Sequence, residues 1–185
     1  GAYVNVDVGY NLAAGSDVLG TNSTASNEEI VKGSWGKGIS FGLGVGYMFG
    51  ENVGAEIAFS YLMGSKYEFK DNNGTFSSTT EAKAKLMRLT PALKVTGGEN
   101  LKPYAKFGIV IGVSPKVTAE SSGSTGLGQS FTGTDKYSGG TAIGFMGAAG
   151  VDFELSDMIS IFLELNSISQ SWAPKKDEWS STVSA

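Results

Sequence analysis

The residues of this chain that could do chemistry are charged side chains within otherwise apolar segments, and where one segment holds two of them their positions differ by an even number. A spacing of two is the period of a β-strand, so the side chains of each such segment point to one face of a sheet. Arg88 is the only arginine, and its planar guanidinium can bind a carboxylate through two hydrogen bonds. We therefore predict that Arg88 pairs with Glu56 or Glu164 at the centre of an inward-facing network. The predicted network consists of Asp7, Glu56, Arg88, Lys94, Lys102, Lys106, Asp152, Glu154 and Glu164.

Two roles are open for this network. Its five acids and four bases should form ion pairs, because an isolated buried charge would cost several kcal/mol. The pairs could act as a plug that fills the interior and fixes the strand register. They could instead act as a gate that exchanges partners and briefly opens a small pore, and the sequence does not choose between the two.

Other kinds of chemistry have little support in the sequence. The chain contains no histidine and no cysteine, which removes most metal sites, Ser-His triads and Cys-His pairs. Asp71–Gly74 lacks the remaining ligands of a calcium loop. A net charge of -4 also argues against nucleic acid as a partner. We predict a protein that is not an enzyme and has no metal and no cofactor.

The elements that position these charges begin with the hairpin Ile39–Met63. Its odd positions are mostly large and apolar, whereas the opposite face is mainly glycine, serine and alanine with one acid, Glu56. Such a strand suits hydrocarbon on one side and a narrow polar lumen on the other. Average hydropathy stays near zero in strands of this kind, as the chain's value of -0.03 does.

The same alternation recurs in seven predicted strands. Pro91 lies within the fourth and lacks the N–H that a ladder needs, so we predict a bulge there. The strands are Ala2–Leu12, Ile39–Phe49, Val53–Met63, Ala84–Thr96, Leu101–Val113, Thr141–Leu155 and Ile159–Ser169. The residues predicted to face lipid are Val4, Val6, Val8, Phe41, Leu43, Val45, Ile57, Phe59, Leu89, Leu93, Phe107, Ile109, Ile111, Phe145, Val151, Ile161 and Leu163.

Long and short connections alternate along the chain. The segments Ala13–Lys37, Ser65–Lys83 and Ser114–Gly140 are polar and are predicted to be long loops, the last with a mobile Ser121–Gly126 run. The short turns all fall at the opposite end of the sheet. Outer-membrane barrels have this asymmetry, whereas a soluble sandwich has no reason to sort its loops by side. Trp35, Trp172 and Trp179 lie in predicted loop or end segments, where they could stack on a sugar or simply pack locally.

Two segments match a known family locally. Gly46–Glu56 resembles the first periplasmic hairpin of the small outer-membrane β-barrel superfamily (OmpA/OmpX-like and OmpW-like proteins), and Lys102–Gly108 resembles the start of its fifth strand. The resemblance implies an all-β, antiparallel up-and-down transmembrane barrel of eight strands in the bacterial outer membrane. Seven strands are readable in a single domain, residues 1–185. The closing strand is expected to be absent or incomplete, although Ser180–Ala185 could begin it.

Three functions follow from these expectations. The first is a non-enzymatic outer-membrane barrel with a structural, surface-interaction or assembly-subunit role. Its partners would be outer-membrane lipids, lipopolysaccharide and other envelope proteins that contact the loops. The second is OmpW-like transport of small solutes or hydrophobic compounds. The third is a soluble lipocalin-like ligand carrier, which would require the apolar face of the strands to point inward.

Overall fold

The computed structural model describes residues 1–12, 17–24, 27–33, 35–98, 101–156 and 158–184. Regular structure in these residues is entirely β, and none of them forms a helix long and apolar enough to cross a membrane. The strands are β1 (Ala2–Asn11), β2 (Asp17–Thr24), β3 (Asn27–Gly33), β4 (Gly38–Met48), β5 (Val53–Asn72), β6 (Phe76–Thr96), β7 (Leu101–Thr125), β8 (Ser130–Ser138), β9 (Ala142–Ser156), β10 (Ile159–Trp172) and β11 (Lys176–Ser184).

The strands form one sheet in which β1, β4, β5, β6 and β7 follow one another, each antiparallel to the next. The hairpin of β2 and β3 lies off this path, and β2 makes a short parallel pair with the outer end of β5. The long strand β7 then has two partners, because β9 pairs with its first half and β8 with its second. Strand β10 pairs with β9, and β11 pairs with β8. The pairs β8–β9 and β10–β11 therefore each behave as one interrupted strand, which gives seven long strands. The all-β antiparallel prediction is confirmed.

The sheet is not closed in the described residues, because no pairing joins β1 to β10. Both strands run from the end of the short turns towards the long connections, so they are parallel to each other. An antiparallel closure would need one strand of the opposite direction between them. The segment predicted as a possible start of that strand does not supply it: residues 180–184 belong to β11, which extends the seventh strand outward beside β8. Residue 185 lies outside the described residues.

The two faces of the sheet differ strongly over the lower half of each strand, next to the short turns. Buried and exposed positions alternate there in β4, β5, β6 and β7. The concave face holds small and charged side chains together with Leu62 and Val110, whereas the convex face holds large apolar ones. This is the reverse of the arrangement that a soluble lipocalin-like carrier requires, because a carrier keeps its apolar side chains inside.

The predicted bulge at Pro91 is wrong. The pairing of β6 with β7 skips Thr90 and Pro91, but the register is the same on both sides of the gap. A single missing N–H removes one hydrogen bond from a ladder and does not require an extra residue. The bulge in this pair of strands lies between Lys85 and Met87, close to Ser114, which has a φ of 50°.

The three predicted long loops are largely strands. Residues 13–37 contain β2 and β3, although residues 13–16, 25–26 and 34 lie outside the described residues. Residues 65–83 form the outer parts of β5 and β6, and residues 114–140 contain the outer part of β7 and all of β8. The Ser121–Gly126 run pairs with β6 as far as Thr125, so its prediction as part of a loop is also wrong. We call this outer part of β5, β6, β7, β8 and β11 the external sheet.

Candidate functional site: an ion-paired lumen

Three charged side chains meet on the concave face at the level of the lower strands. Lys106 of β7 places its Nζ atom 2.9 Å from Oε1 of Glu56 on β5 and 3.0 Å from Oε2 of Glu164 on β10. Their side chains are 7%, 4% and 16% exposed, respectively. One ammonium group therefore bridges two carboxylates from opposite walls of the lumen. We call these three residues the central triad.

Hydrogen bonds from neutral side chains complete the central triad. Tyr3 and Asn5 of β1 donate to Oε2 of Glu56 over 2.9 and 2.8 Å. Tyr104 of β7 donates its hydroxyl to Oε2 of Glu164 over 2.9 Å. Every fully buried side-chain nitrogen or oxygen atom among the described residues has a hydrogen-bond partner. Such bonds offset part of the desolvation cost that makes buried ion pairs unfavourable.

Glycines on neighbouring strands make room for the two tyrosine rings. A Cβ atom at Gly46 would lie 2.2 Å from Cζ of Tyr3, and one at Gly150 would lie 2.4 Å from Cζ of Tyr104. Those distances are shorter than any van der Waals contact, so a larger residue would displace the rings from the carboxylates. The glycine-rich inner face is thus the reason why aromatic side chains fit beside the central triad.

A second ion pair lies nearer the short turns. The Nζ atom of Lys94 is 2.8 Å from Oδ2 of Asp152, and their side chains are 11% and 17% exposed. The Lys94 ammonium also lies 4.3 Å from the ring centroid of Tyr104, within the range of a cation–π contact. Lys102 pairs with Glu154 still closer to the turns, where both side chains are more exposed.

The predicted centre of the network is wrong. Arg88 is buried, but its Nε atom donates to Oε1 of Gln170 over 3.0 Å and it forms no ion pair with any described carboxylate. The reason is the position of Arg88 along the strand axis. Arg88 pairs with Ser60 of β5, and Ser60 is four residues from Glu56, a distance of roughly 13 Å along a strand. Asp7, the remaining predicted member, lies against Gly42 and also has no ion pair among the described residues.

Sequence reasoning named the inward acids and bases but did not assign their four neutral partners, Tyr3, Asn5, Tyr104 and Gln170. Tyr3 shares the odd-numbered parity of Asn5 and Asp7 on β1, so alternation alone would have placed it inside. Gln170 lies one residue beyond the predicted end of the last strand, whereas β10 continues to Trp172. Tyr104 was placed inside but was given no role, because a hydroxyl partner cannot be inferred without the strand register.

The residues predicted to face lipid lie on the convex face. Of these 17 residues, 16 are between 37% and 73% exposed, and Val151 is partly covered. The aromatic side chains Tyr47 and Phe49 are in contact beside the first short turn, with ring centroids 5.8 Å apart. Aromatic residues at such positions are typical of the interfacial belts of membrane proteins.

The three tryptophans differ in environment. Trp35 lies edge-on to Tyr67 with ring centroids 5.6 Å apart, and Trp172 donates its indole N–H to the carbonyl of Gly139 over 2.8 Å. Both are partly buried and in contact with neighbouring residues, in line with local packing, the second of the two roles left open by the sequence. Trp179 lies on β11 and is 71% exposed.

An antiparallel sheet with an apolar convex face and an ion-paired concave face defines the class of membrane β-barrels. The comparison with protein families agrees, since the outer membrane protein beta-barrel domain family matches residues 1–184. The chain belongs to this family and is a protein of the bacterial outer membrane. No curated protein and no solved structure matches it. Within the described residues, no cluster of three or more acidic side chains is arranged to hold a metal ion.

Proposed function

We propose that this protein is a non-enzymatic outer-membrane barrel that holds a rigid sheet outside the membrane for contact with other envelope components. The central triad is the observation that supports a structural role for the lumen. Its three side chains come from β5, β7 and β10, and they are nearly inaccessible to solvent. Ion pairs that join side chains across the lumen favour a plug over an open pore.

The external sheet supports the surface role. Strand β7 has 25 residues, more than twice the roughly 9 to 11 needed to cross hydrocarbon at a tilt. The nine residues of β8 correspond to roughly 30 Å of strand beyond the membrane-crossing part. Ordered ladder pairs hold this region together, so it can present a defined surface to a partner.

Conductance in planar lipid bilayers tests whether the lumen is a plug. We expect neither the wild-type protein nor Arg88→Ala to produce stepwise currents, because Arg88 does not take part in the central triad. Stable channels in the wild type would contradict the proposal and support transport of small solutes. Channels in Arg88→Ala alone would instead support a gate that depends on this arginine.

Photocrosslinking in intact cells tests the surface role. We expect a crosslinking amino acid at the exposed Thr132 of β8 to capture lipopolysaccharide or another envelope protein in a discrete product. The matched control is the same amino acid at Ile161, on the convex face of β10, which should label lipid alone. Equal labelling of the same proteins from both positions would contradict a specific surface contact.

A further inference from the structure

The inner side of the external sheet contains a cavity of about 270 Å³ that the lumen network does not use. Its floor is made of small side chains on paired strands, with Ala82 of β6 opposite Ala119 of β7. Its walls are Leu19 and five ring-bearing residues, Trp35, Phe69, Tyr137, Trp172 and Pro174. The floor is buried, since Ala82 is only 3% exposed. Paired strands therefore form the floor of the cavity, whereas Trp35 and Pro174 in its walls lie in connecting segments.

The surface of this cavity is mainly apolar, and two of the polar groups around it already have partners. The Thr80 hydroxyl lies 2.9 Å from that of Ser121, and the Trp172 indole N–H is bonded to Gly139. A sugar would find few free donors or acceptors to replace the hydrogen bonds that its hydroxyl groups make with water. A neutral apolar molecule loses nothing of this kind and gains contact with aromatic rings.

We propose that this cavity binds a neutral, mainly apolar molecule of one or two rings, between Trp35 and Trp172. Its size sets the limit, because an apolar cavity of about 150 Å³ is enough for benzene. This inference goes beyond the proposed function and rests on it only in placing the cavity at the external end of the barrel. Binding here requires no passage through the lumen past the central triad.

Fluorescence quenching by 4-bromophenol, a single-ring probe whose bromine quenches indole on contact, tests the proposal in protein folded in phosphatidylcholine nanodiscs. Two variants each keep one tryptophan: Trp35→Phe with Trp179→Phe keeps Trp172, and Trp35→Phe with Trp172→Phe keeps Trp179. We expect saturable quenching of Trp172 and only linear, collisional quenching of Trp179. Linear quenching of both would overturn the proposal.

A variant that fills the cavity provides a second readout. Ala119→Leu should weaken the saturable binding at least tenfold, whereas Ser122→Leu, on the exposed side of the same strand, should leave it unchanged. Wild-type binding that methyl glucoside displaces would assign the site to sugars and overturn the apolar ligand. If Ala119→Leu fails to fold, as judged by heat-modifiable migration, Trp35→Ala should still weaken binding at least fivefold by removing one wall. Because quenching measures no current, its failure is distinguishable from a failed conductance test.

Discussion

Lys106→Met is expected to destabilise the folded barrel by about 3 to 5 kcal/mol, the usual cost of removing one partner from a buried ion pair. The variant leaves Glu56 and Glu164 facing each other without a counter-ion in a space where they are 4% and 16% exposed. Hydrogen bonds also hold both carboxylates in place, from Tyr3 and Asn5 to Glu56 and from Tyr104 to Glu164. The free energy of unfolding by urea, measured in lipid vesicles by tryptophan fluorescence, gives the effect.

The same substitution at Lys66 is the matched control. Lys66 pairs with Glu81 on the external sheet, where the two side chains are 54% and 39% exposed. Exposed pairs contribute only about 0 to 1 kcal/mol, so Lys66→Met should change stability little. Adding Glu56→Gln to Lys106→Met should restore part of the loss, since one of the two uncompensated charges is removed. Equal, small losses for Lys106→Met and Lys66→Met would show that the central triad does not stabilise the barrel.

The sequence predicts the lower half of the sheet well because each strand there has lipid on one face and the polar lumen on the other. Large apolar side chains such as Phe41 and Ile57 alternate with glycine and serine, and this contrast gives both the strand and its orientation. The outer parts of β6 and β7 carry polar and charged residues such as Glu81 and Lys83 on the convex side, and mostly small residues such as Ala82 and Ala119 on the inner side. A strand without a row of large apolar side chains has the composition of a loop, so propensity alone misassigned it.

The sequence predicts which face of the sheet the site residues lie on, but not their positions along the strand axis. Alternation places Arg88 and Lys106 correctly on the inner face, yet only the register shows which of them lies nearer to Glu56 along the strand axis. That register is set by the geometry of the short turns, because no bulge separates Arg88 or Lys106 from the turn between β6 and β7. The sequence predicted Arg88 as the centre because its guanidinium can bind a carboxylate through two hydrogen bonds. Lys106 is instead the cation that lies close enough to Glu56 to pair with it.

The convex face gives the second large effect: Leu43→Arg is expected to destabilise the barrel by about 2 to 4 kcal/mol in a lipid bilayer. Leu43 lies midway along β4 between Val6 of β1 and Phe59 of β5, and it is 50% exposed. A guanidinium at this position would have to enter hydrocarbon or bend towards the headgroups. Urea unfolding in phosphatidylcholine vesicles provides the measurement.

The variant Leu127→Arg tests whether contact with lipid, and not exposure alone, causes the loss of stability expected for Leu43→Arg. Leu127 lies in the turn between β7 and β8 and is 89% exposed, at the end of the chain's longest strand. Its side chain is more accessible than that of Leu43, but it lies far beyond the hydrocarbon layer. The same substitution there should therefore lower the free energy of unfolding by less than about 0.5 kcal/mol. If Leu43→Arg were as harmless as Leu127→Arg, the convex face would be in contact with water. The assignment of this surface to the lipid phase, on which the orientation of the lumen and of the external sheet depends, would then fail.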